Sequence, residues 1–228
     1  MHPRDPTDGR ECLVSEDDHA GGSPNAVRHW EGPGLDAWEP WTPLEALRML
    51  GDVGVPWCVV GGWAIDLFVG KQTRSHEDLE IAVLRDDFDA VRDRLRTFEM
   101  YSVGDGEVRR LTRGQRPSAD KHQNWVLDPA AQRWRADVML EPGDEATWVF
   151  RRDEAIHAER SLMIRRTVDG VPYLAPMGTL LFKAKACRPK DRVDFETCRP
   201  RLSTDEREWL RHALELVHPG HEWIGLLT

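Results

Sequence analysis

The feature that most constrains this chain is the run Gly61-Gly62-Trp63-Ala64-Ile65-Asp66-Leu67-Phe68, followed after a basic turn by His76-Glu77-Asp78-Leu79-Glu80-Ile81-Ala82-Val83. Upstream, Pro56 to Val60 is short, apolar and bounded by proline and glycine, which reads as a buried strand ending at the glycine pair. Trp63 to Phe68 is apolar all round and stops at Gly70, giving one or two helical turns. In the second strand Leu79, Ile81 and Val83 alternate with Asp78, Glu80 and Ala82, so the period of two puts both carboxylates on one face. A glycine turn, a short helix and two acids spaced i, i+2 suit the holding of a nucleoside triphosphate and Mg²⁺.

Further along, Trp125-Val126-Leu127 and Trp134 to Leu140 read as a hairpin, with Arg135, Asp137 and Met139 on the side opposite Trp134, Ala136, Val138 and Leu140. Asp137 is thereby a candidate third carboxylate. Around these strands, Thr42-Pro43-Leu44-Glu45 opens a helix with Thr42 as N-cap, running until Gly51 or Gly54. Asp86 or Asp87 caps a helix bearing Phe88, Val91 and Leu95, after which Arg109 to Arg116 reads as loop. Asp169-Gly170 is a turn between two short strands within 164–174. Thr179 to Cys187 reads as a helix ended by Pro189, and Ser203 opens a final amphipathic helix.

The expected organisation is α+β: a tail over 1–38, a strand-rich lobe over 39–150 with a mixed sheet and flanking helices, and a hairpin-plus-helical lobe over 151–228. The tail assignment rests on its proline, glycine and charge content, which buries little and favours mobility. At 228 residues and 40% hydrophobic the chain is long enough for a real core. Its net charge of −9 disfavours a nucleic-acid partner, since phosphate backbones call for a basic face, and better matches a small cationic or neutral acceptor. The four cysteines show no zinc-like spacing and no run approaches a membrane span, so reduced thiols and a cytoplasmic, membrane-free protein are expected.

The runs GGWAIDLFVGKQTRSHEDLEI, WRADVML and PYLAPMGTLLFKAKACRPKDRVD resemble the polymerase-β-type nucleotidyltransferase superfamily, and within it the aminoglycoside 2''-O-nucleotidyltransferase and lincosamide nucleotidyltransferase group, over roughly residues 44–223. That resemblance implies a polymerase-β-like fold with Asp78, Glu80 and Asp137 as metal ligands and catalytic carboxylates, Asp137 doubling as candidate base. It implies a phosphate turn at Gly61, Gly62 and Trp63, and basic residues near the nucleotide at Lys183 and Lys190. Two Mg²⁺ ions and ATP or another nucleoside triphosphate follow as cofactor and co-substrate, with a small-molecule hydroxyl as acceptor, in a monomer or homodimer. Many members carry Asp-x-Asp, whereas the second acid here is Glu80, whose extra methylene moves its carboxylate outward.

Other residues carry less. Arg74 either contacts phosphate or bridges to a surface acid. Asp66 reads as a cap or brace for the short helix, and His76 as a residue that orients its loop by hydrogen bonding. Lys183 and Lys185 lie roughly 200° apart on one helix, so at most one faces the cleft. Lys190 and Asp191 read as the start of the next helix. Rival readings are a transferase acting on protein or RNA, which the acidic charge opposes in the RNA case, and a nucleotide-binding regulator without turnover.

Overall fold

The computed structural model describes residues 32–228. It begins with α1 (Pro43–Leu50), closed by the expected capping box: Thr42 Oγ1 accepts from the Glu45 amide at 3.3 Å, and Glu45 accepts from the Thr42 amide at 2.7 Å. Then come β1 (Trp57–Val59), α2 (Gly61–Val69), β2 (Glu80–Leu84), a 3₁₀ turn, and α3 (Phe88–Arg94). The middle of the chain supplies β3 (Glu99–Gly104), β4 (Glu107–Leu111), β5 (Gln123–Asp128) and β6 (Arg133–Glu141). A small separate hairpin, β7 (Thr147–Val149) and β8 (His157–Glu159), leads through α4 (Arg160–Met163) to β9 (Ile164–Arg166) and β10 (Pro172–Leu174). The described chain ends on α5 (Pro176–Ala184), α6 (Pro189–Cys198), α7 (Thr204–Val217) and a short 3₁₀ turn.

Eight strands form one mixed sheet in the order β4-β3-β5-β6-β2-β1-β10-β9. The pairs β2/β6 and β1/β10 are parallel and the remaining neighbours antiparallel. One face buries Val59, Ile81, Val83, Val138 and Leu140 with Leu50 of α1 and Phe88 of α3. The other packs Cys58 and Ala82 against Ile65 of α2, Leu180 of α5 and Leu210 of α7. The fold is therefore α+β, a mixed sheet with helices on both faces and a helical C-terminal part. The expected boundary at 150 falls inside this sheet, because β9 and β10 extend it from β1.

Several local expectations change. Arg109 to Arg116 is not all loop, since β4 runs to Leu111; its Arg109 and Arg110 are exposed on an edge strand, which erases the apolar alternation that would have marked it. Helix α5 starts at Pro176, three residues before the expected Thr179, because proline fits the first helical position and its missing amide costs nothing there. Of the expected tail, residues 1–31 lie outside the described residues. Within 32–38, Trp38 bridges Trp134, and the Trp38 ring sits edge-on to Trp125 at 5.2 Å, so this stretch is docked on β5 and β6. Among the described residues no helix is long and apolar enough to cross a membrane, and Cys58, Cys187 and Cys198 are unbridged and buried; Cys12 lies outside them.

Candidate active site

The parallel register of β2 and β6 sets Glu80 directly beside Asp137, and Asp78 lies two residues before Glu80 in the segment entering β2. The Asp137 amide donates to Leu79 O at 2.8 Å, extending the pairing toward Asp78. Asp137 is buried, its Oδ2 accepting from Gln123 Nε2 at 2.9 Å and its Oδ1 from the Asn124 amide at 3.3 Å. Burial, then the charges of Glu80 and Asp78, push the Asp137 carboxyl up to about 8. Burial and Asp78 likewise push Glu80 up to about 7, against the opposing pull of Lys183, Arg188 and Lys190. Asp137 and Glu80 thus hold their protons more tightly because they are buried and because Asp78 is near, with Glu80 adding to the effect at Asp137.

A bound cation would relieve that crowding, and carboxylate oxygen is the hard ligand that Mg²⁺ takes. Among the described residues no three histidine, cysteine or acidic side chains are placed to hold a metal ion by themselves. Glu80 and Asp137 lie side by side on neighbouring strands with Asp78 in the segment entering one of them, and Mg²⁺ commonly takes one or two carboxylates together with waters and phosphate oxygens. By donor chemistry and electrostatics the residues fit a divalent metal.

The glycine pair earns its place sterically. Gly61 has φ of +66°, and a Cβ there would run into the Glu80 carboxylate. A Cβ on Gly62 would strike the Arg74 guanidinium and come within 2.6 Å of His76 Nδ1. Only without side chains can the N-terminus of α2, which has no side-chain cap, lie against both the carboxylates and the following loop. Trp63 packs on the His76 ring at 4.5 Å between centroids, so its side chain supports that loop.

The irregular segment 70–79, which carries Asp78, is pinned by side chains. Asp66 of α2 accepts from the Thr73 amide at 3.0 Å and the Thr73 hydroxyl, and bonds His76 Nε2 at 2.5 Å. A carboxylate only accepts, so Nε2 carries the proton. Burial holds the His76 pKa below its ordinary value despite Asp66. The brace expected of Asp66 thus reaches from helix to loop, and His76 orients the loop as expected. Arg74 points Nε and Nη2 at Asp194 of α6, both at 3.2 Å, and Nη1 at Ser75 O at 3.1 Å. Its partner is an acid, and a buried one.

Lys183 is buried on α5, with Nζ 2.8 Å from Asp194 and 3.2 Å from Asp191, whereas Lys185 is exposed. Arg188 Nε meets Asp191 at 2.8 Å. Burial disfavours ionised Asp191, but the Arg188 hydrogen bonds and Lys183 offset it and hold its carboxyl below the ordinary range. Lys190 is exposed and acts on Glu80 through its charge. Sequence reasoning missed Gln123, Arg188 and Asp194. For the acid the signal was present: Asp191 and Asp194 stand at i, i+3 on one helical face beside a lysine helix.

Three similar solved structures are the antibiotic-resistance factor ANT(2'')-Ia in solution (13% identity, 76% of this chain and 89% of that chain covered, TM-score 0.47), the lincosamide antibiotic adenylyltransferase LnuA bound to lincomycin (15%, 68% and 92%, TM-score 0.47), and ANT(2'')-Ia with adenylyl-2''-tobramycin (14%, 79% and 89%, TM-score 0.42). No curated protein sequence matches. The model of the aminoglycoside-2''-adenylyltransferase family matches residues 44–195, two thirds of the chain, and takes in the glycine turn, the three carboxylates and the Lys183–Asp194 network. The crowded acids, the sterically required glycines and this match agree: the chain belongs to the aminoglycoside-2''-adenylyltransferase family and is a nucleotidyltransferase.

Proposed function

We propose that the protein moves AMP from ATP to a hydroxyl of an aminoglycoside and releases pyrophosphate, in the cytoplasm and with Mg²⁺. The observation that carries this reading is the register that sets Glu80 beside Asp137, with Asp78 adjacent and α2 opening against them. Asp78, Glu80 and Asp137 would hold the metal, two ions in the generic arrangement, which would neutralise triphosphate charge and favour the attacking oxygen. The α2 amides and the Lys183 and Arg188 side of the cleft would receive the phosphates.

The acceptor oxygen attacks the α-phosphorus; the new O–P bond forms as the bond to the bridging β-phosphate oxygen breaks, and pyrophosphate leaves with that electron pair. The hydroxyl proton passes to an Asp137 oxygen. Gln123 and the Asn124 amide fix the direction in which the Asp137 carboxylate faces the acceptor.

The test is pyrophosphate release from ATP, GTP, CTP and UTP with Mg²⁺, against aminoglycosides and lincosamides, comparing wild type with Asp78→Ala. Release that requires ATP, an aminoglycoside and Asp78 is the expected result. Release only with lincosamides would move the acceptor class. Mg²⁺-dependent nucleotide binding without release on any panel compound would overturn the transfer to antibiotics.

A further inference from the structure

Asp194 joins three parts of the site. It is 1% exposed on α6, takes both Arg74 bonds from the segment that delivers Asp78, and pairs with Lys183 of α5. One turn earlier, the fully buried Asp191 shares Lys183 and takes Arg188. Buried charge persists where it is matched, and here Arg74, Lys183 and Arg188 face Asp191 and Asp194, with Asp66 also acting on Arg74. The same Lys183 and Arg188 favour the ionised form of Glu80.

The arrangement has a definite alternative. Without a carboxylate at 194, Lys183 loses its 2.8 Å partner and keeps only Asp191, at 3.2 Å. Held from one side, the lysine would be free to swing toward Glu80, whose charge it already feels, and so leave the position from which it meets phosphate. Of the Arg74 side-chain hydrogen bonds only the one to Ser75 O would remain, and the segment bearing Asp78 would lose its tie to α6, leaving it held to α2 through Asp66.

We propose that Asp194 is a positioning residue for nucleotidyl transfer, holding Lys183 toward the phosphate cleft and, through Arg74, fixing the 70–79 segment so that Asp78 stays beside Glu80. The turnover consequence rests on the function proposed above; the clamp itself exists without nucleotide and is tested without it.

The experiment uses the full chain and Asp194→Asn, which keeps the shape and removes the charge. In hydrogen exchange without nucleotide, amides of 70–79 should exchange about tenfold faster in the variant while β3 to β5 keep their protection. No change in that segment, or an equal acceleration through the sheet, would overturn the clamp. Should Asp194→Asn not fold, Arg74→Gln, at a partly solvated side chain, reads the same tie. In steady-state pyrophosphate release, Asp194→Asn should raise the ATP KM and lower kcat/KM about tenfold, and that loss should largely vanish in a Lys183→Met background. Fully additive losses would overturn action through Lys183. A wild type without turnover would sink the proposed function and leave the exchange result to decide the clamp.

Discussion

At Asp137 the neighbours that make a base also make a liability. With the carboxyl near 8 and Glu80 near 7 when folded, against ordinary values near 4 when unfolded, the folded state binds more protons between those limits. A raised pKa gives stability that is present below the unfolded value and lost as pH rises through the folded one. In metal-free protein the thermal midpoint should therefore fall from about pH 5 to about pH 9. Mg²⁺ should restore most of the loss at the alkaline end, and Asp137→Asn should flatten the profile; calorimetry across pH with and without chelator checks this, and a flat wild-type profile would contradict it. A second residue-scale expectation concerns Gly62. A methyl there meets Arg74 and His76, so Gly62→Ala should push the Asp78 segment outward and lower kcat/KM by at least about a hundredfold. Circular dichroism should show little change in helix content.

At the scale of elements, the segment before α1 is more than a lead-in. Trp38 and Trp134 pair through a backbone bridge, Trp134 Nε1 donates to Gly34 O at 3.0 Å, and Trp38 leans on Trp125, the residue opposite Asp137 in the sheet. Trp38→Ala should cost about 2 kcal/mol in urea unfolding, the loss expected for a large, half-buried ring. The sequence hid this because glycine, proline and acidic neighbours dilute two aromatic anchors whose partner lies far along the chain. What was legible had local causes: the box at Thr42 and Glu45, the alternation through β2 and β6, the glycines before α2. Edge strand β4 was not, since solvent on its face removes the pattern. The acids and glycines of the site could be read because each carries its chemistry in its type and spacing. Asp194 showed only its i, i+3 spacing with Asp191; its tie to Arg74 arises when α6 is laid against the 70–79 segment.

Across the whole molecule, a net charge of −9 sets up a field that draws in cations before any contact is made. For a polycationic aminoglycoside, raising ionic strength from about 0.02 M to about 0.5 M should raise its KM several-fold and leave kcat nearly unchanged, because screening acts on encounter. Steady-state kinetics at fixed Mg²⁺-ATP would show it; a KM indifferent to salt would remove electrostatics from acceptor capture. The sheet order carries another consequence. Val59 of β1 pairs with Tyr173 of β10, so the strand that leads into the glycine turn has one neighbour close in sequence and another that is synthesised much later. Closing so long a loop is slow, and until it closes β1 presents an unpaired edge and an uncovered apolar face. A nascent chain cut off before Val171 would hold all three carboxylates and still be an aggregation-prone intermediate, so the site becomes competent only after the C-terminal strands have docked.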